Sequence, residues 1–113
     1  MNKNRKWCSI LTGLKMDNVL LKDWLSKAIS GQVSSGFVEQ AELFQQEFCE
    51  KDLIIDLLRR DMALLKEAIA IQGMTDVNSA QYMALEAAVQ RLLLDFQKMK
   101  NAFIEFVERG AVS

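Results

Sequence analysis

Two long stretches of this chain carry apolar side chains at alternating spacings of three and four, and that rhythm leaves little freedom in how the chain can fold. The first runs Phe37, Ala41, Phe44, Phe48, Lys51, Ile55, Leu58, Met62, Leu65, Ile69. The second runs Tyr82, Leu85, Val89, Leu92, Phe96, Met99, Phe103, Phe106. A strand needs a period of two; a mean period near 3.5 places all these residues on one seam of a helix, as in a coiled coil. Only Lys51 interrupts the apolar character.

The connection between the runs is short, so the helices must run antiparallel. A turn centred near residue 75 then pairs Ile69 with Tyr82, Leu65 with Leu85, Met62 with Val89, Leu58 with Leu92 and Ile55 with Phe96. Further from the turn it pairs Lys51 with Met99, Phe48 with Phe103 and Phe44 with Phe106. Every layer but one is apolar on both sides. At the exception, the lysine stem can lie on Met99 while its ammonium reaches water.

The punctuation agrees. Proline is absent, and four of the five glycines (Gly13, Gly31, Gly36, Gly73) fall in or near breaks. The signals predict helices over residues 18–30, 36–72 and 79–109. Asp17 is the expected N-cap of the first and Ser34 or Ser35 that of the second. Asn78, with Gln81 three residues on, has the form of a capping box, Val77 and Tyr82 of a hydrophobic staple, and Asp76 is the alternative cap. Gly31 and Gly73 are the expected helix ends. Acid-first pairs at i, i+4 (Glu47 with Lys51, Asp56 with Arg60, Glu105 with Arg109) suit exposed helix surface. The expected fold class is all-α: a long antiparallel, coiled-coil-like hairpin preceded by a shorter helix. Residues 1–15 form a basic arm and residues 16–113 the helical domain. Within the arm, Trp7, Ile10, Leu11 and Leu14 would share one face of a short helix that Gly13 weakens.

The seams do not exhaust the apolar residues. Ile54, Leu57, Leu64, Ala68 and Ile71 form a second stripe on the middle helix, with Asp61 on it, and Leu93, Leu94, Ala102, Ile104 and Val107 are surplus on the third. A two-helix hairpin would leave this surface in water, which is costly for an isolated molecule. The helix over 18–30 can cover only part of it, and the remainder calls for a second copy or a different partner. The expectation is a homodimer, a four-helix-type bundle whose interface uses Ile54, Leu57, Asp61, Leu64, Ala68, Ile71, Leu93 and Leu94.

Charge is uneven. Residues 1–27 carry six basic side chains against two acidic, and the remainder carries eight against thirteen. A basic segment packed on an acidic hairpin accounts for this. A contact to nucleic acid or another partner through Lys3, Arg5, Lys6 and Trp7, with Lys15, is the alternative. Trp24, on an amphipathic helix, is expected in the core.

Catalytic chemistry finds no foothold. The chain has no histidine, the usual general base near neutral pH and the commonest transition-metal ligand. Cys8 and Cys49 have no zinc-ligand spacing, and no phosphate loop or cofactor fingerprint is present. Glu39 with Glu42 and Glu47 with Glu50 read as solvated helix surface. The cysteines are too few for a disulfide framework, which suits a reducing, cytoplasmic setting. The first residues do not resemble a cleaved targeting signal, and no stretch reaches the roughly 20 apolar residues of a membrane span. The sequence thus points to a non-enzymatic helical interaction protein without cofactor or metal: a self-associating adaptor or small chaperone-like module with a protein partner. A nucleic-acid-binding regulator using the basic arm is one alternative. A bundle holding a hydrophobic ligand at its phenylalanine end (Phe37, Phe44, Phe48, Phe103, Phe106) is the other.

Overall fold

The computed structural model describes the backbone of residues 2–31 and 33–112 and the side chains of residues 6–31 and 33–110. The described residues form three helices: α1 (Asn2–Ile29), α2 (Ser35–Gln72) and α3 (Asp76–Val112). Together they form a slender bundle measuring 58 × 20 × 18 Å. Among the described residues there is no strand.

The α2–α3 hairpin has the expected register. Ala41, Phe48, Ile55, Leu58, Met62 and Leu65 of α2 are buried, as are Val89, Leu92, Phe96, Met99 and Phe103 of α3. At the end far from the turn, the Phe48 and Phe103 rings meet at 5.1 Å and those of Phe44 and Phe106 at 5.1 Å. Lys51 is half-buried on the seam.

The first helix departs from expectation. In place of an arm and a short helix, α1 is one uninterrupted element of 28 residues. Its buried residues are Trp7, Leu11, Leu14, Asn18, Leu21 and Leu25, a third seam with the same alternation of four and three. Asn18 and Asp17 had suggested a helix start; the structure instead puts Asn18 in the core and runs the helix through both. The polar layer survives because α2 supplies partners. Asn18 Nδ2 donates to the Phe48 carbonyl at 2.8 Å and to Asp52 Oδ1 at 2.8 Å.

Trp7 lies on the α1 seam with Leu11 and Leu14 and is buried, which removes it as an exposed partner contact. Trp24, expected in the core, falls one residue off the seam, is 40% exposed and meets Phe103 edge-on at 5.6 Å.

The helix ends refine the capping. Ser34 Oγ accepts from the Phe37 N–H at 3.1 Å, as the sequence suggested. Gly73 closes α2 with φ +78°, a conformation that favours glycine, and its N–H donates to the Ile69 carbonyl at 2.8 Å. Gly31 does not adopt a positive φ; Ser30 closes α1 instead, with its N–H and hydroxyl both donating to the Lys27 carbonyl. The α3 cap is Thr75 rather than Asn78 or Asp76. Thr75 Oγ1 accepts from the Asn78 N–H at 3.0 Å, and the buried Asn78 amide reaches back to donate to the Gly73 carbonyl at 2.9 Å. Val77 points to solvent and forms no staple.

Candidate interaction surface

The surface follows from where α1 lies. It packs chiefly on α2 and also touches α3, covering one side of the hairpin. An ionic layer holds it there. Lys15 donates to the Asp56 carboxylate at 3.0 Å and lies 3.7 Å from Asp52, while Lys22 donates to Asp52. Burial alone would raise the Asp52 pKa. The hydrogen bonds from Lys22 and Asn18, with the charges of Lys22 and Lys15, outweigh it and hold the carboxyl below the usual aspartate range. Asp56, expected to pair locally with Arg60, thus serves the helix–helix contact, and Arg60 turns to Asp61 at 3.5 Å. Glu105 and Arg109 do pair as expected, at 2.6 Å.

The opposite side of the hairpin is uncovered. Between α2 and α3, near their turn, lies an open groove of about 460 Å³ lined by Asp61, Leu64, Leu65, Ala68, Gln81, Ala84 and Leu85. Leu65 and Leu85 belong to the hairpin seam and form its floor. Beside the groove runs the second α2 stripe: Ile54 is 41% exposed, Leu57 48%, Leu64 56% and Ile71 75%. Asp61 and Ala68, on the same stripe, are half-buried. The helical spacing puts all six residues on one face.

Leu93 and Leu94 are exposed too, but they do not join this face. At 100° per residue Leu93 turns toward the α1 side of α3, and Leu94 toward its outer surface, away from the groove walls Gln81 and Ala84. The expected interface set is therefore split: six residues share a surface and two lie elsewhere. Gln81 and Ala84, absent from the expected set, join it; their smallness and polarity gave no apolar signal in the sequence.

The other candidate residues are placed as follows. Lys6 stands over the Trp7 ring at 5.8 Å, and the side chains of Lys3 and Arg5 lie outside the described residues. Trp7 faces the core, where its indole N–H lies near the buried Tyr82 hydroxyl, neither group in hydrogen-bond geometry. Burial raises the Tyr82 pKa; the Trp7 N–H works against that shift, and the Glu86 charge, the smallest of the three effects, adds to it. The phenylalanine end is filled by its own rings. Phe37 stacks on Phe106 at 4.5 Å, and its edge lies so close over Gly110 that a Cβ there would collide with the ring.

Among the described residues no three His, Cys, Asp or Glu side chains gather as a metal site. No helix of the described residues is long and apolar enough to cross a membrane. Comparison with known proteins finds no family model, no curated protein and no solved structure that matches this chain.

Proposed function

We propose that this chain is a non-enzymatic helical interaction module that self-associates through the face of α2 and α3 opposite α1. One observation carries the reading: Ile54, Leu57, Leu64 and Ile71 stay exposed along one face, with Asp61 and Ala68 between them, even though a third helix packs on the same hairpin. Scattered surface leucines need no explanation, but a largely apolar stripe aligned on one face beside a groove marks an association surface. An adaptor or small chaperone-like role fits such a module, with α1 as its structural brace.

The test is the double substitution L57E/L64E. Both side chains are exposed, so the monomer fold tolerates the change, while a buried interface does not. Light scattering should give a dimer mass for the wild-type chain and a monomer mass for the variant. A wild-type chain monomeric at high micromolar concentration, or a variant that stays dimeric, removes this function.

A further inference from the structure

Resting on that self-association, we infer that the occupant of the face is a second copy of this chain, its α2 laid antiparallel on the first about a two-fold axis level with Met62 and Ala63. A symmetric interface must map onto itself when the second chain is reversed. The stripe 54, 57, 61, 64, 68, 71 does so. Ile54 meets Ile71 of the other copy, Leu57 meets the small Ala68, and Asp61 meets Leu64.

The flanking charges select this orientation. Arg60 and Glu67 precede stripe residues Asp61 and Ala68 by one position each, so they share one flank of the stripe, and both are exposed. In an antiparallel helix pair, residues on the same flank face each other, and salt bridges from such flanking positions set partner and orientation. Positions 60 and 67 lie at nearly matching heights on either side of the axis. Arg60 of each copy therefore faces Glu67 of the other, giving two symmetry-related pairs.

A parallel pair has neither advantage. It would set the residues of one flank against the opposite flank, where Leu58 and Leu65 are committed to the core of their own chain. It would also stack the two Asp61 carboxylates at one level, as like charges. The antiparallel pair staggers them by about 4.5 Å along the axis, each with its own Arg60 at 3.5 Å.

The experiment is a charge exchange at these exposed positions, read as complex mass by native mass spectrometry with one chain isotopically labelled. R60E and E67R alone should each dimerise about tenfold more weakly than wild type, because each places two like-charged pairs across the interface. The double variant R60E/E67R should return to near wild-type affinity. Mixed together, R60E and E67R chains should prefer each other over themselves, since only the mixed dimer has opposite charges at both sites. If the wild-type chain dimerises, and L57E/L64E abolishes the dimer, yet these exchanges change nothing, the antiparallel register is overturned while self-association stands. If the wild-type chain is monomeric and binds only a different helix on this face, both readings fall.

Discussion

At the scale of single residues, two glycines in helices show how one residue type can be dispensable or required. Gly13 lies inside α1, exposed, with nothing within 4 Å of where a Cβ would project. Glycine there costs backbone entropy and returns no close packing. Gly13→Ala should therefore stabilise the fold by about 0.5–1 kcal/mol, seen as a melting temperature several degrees higher by circular dichroism. Gly110 is the opposite case: a methyl would strike the Phe37 ring and unseat its stack on Phe106. Gly110→Ala should lower the melting temperature, and an unchanged value would mean that the phenylalanine end is looser than its ring contacts indicate.

At the scale of elements, Asn18, Lys15 and Lys22 against Asp52 and Asp56 bind α1 to α2. The depressed Asp52 pKa turns this contact into a pH dependence. A carboxylate whose folded-state pKa lies below its unfolded value contributes stability that is fully present above the unfolded pKa, about 3.9. That contribution fades as pH falls through the lower folded-state pKa. Thermal melts of wild type and Asp52→Asn should differ most above pH 4 and converge as the solution becomes more acid. A gap that is constant down to pH 2 would show that Asp52 acts by shape rather than charge. Surface pairs such as Lys27 with Asp23 or Arg91 with Asp95 are more exposed and local, and should contribute little.

At the scale of the whole molecule, a bundle 58 Å long and 20 Å wide has much surface for its volume. Its stability depends on every helix covering its neighbours. α1 contributes a full seam from Trp7 to Leu25, so it is part of the core rather than a flank. A chain starting at residue 33 should lose the cooperative thermal transition of the full chain and bind a hydrophobic dye. Retention of a sharp transition at an unchanged temperature would show that the α2–α3 hairpin is self-sufficient.

The α2 and α3 seams and their register were readable from the sequence because apolar periodicity is a local property: side chains three and four apart share a face whatever lies opposite. The second α2 stripe was readable for the same reason. The unity of α1 was not. Asp17 reads as a helix cap and Gly13 as a weak point, and the polar Asn18 does not extend an apolar seam until the Phe48 carbonyl and Asp52 stand across from it. Nor did spacing reveal that Asp56 would choose Lys15 over Arg60, that Thr75 would cap α3, or that Trp24 would stand partly exposed at the edge of the core. Each of those outcomes depends on where a second helix puts its donors, acceptors and rings, and the tertiary fold alone supplies that placement.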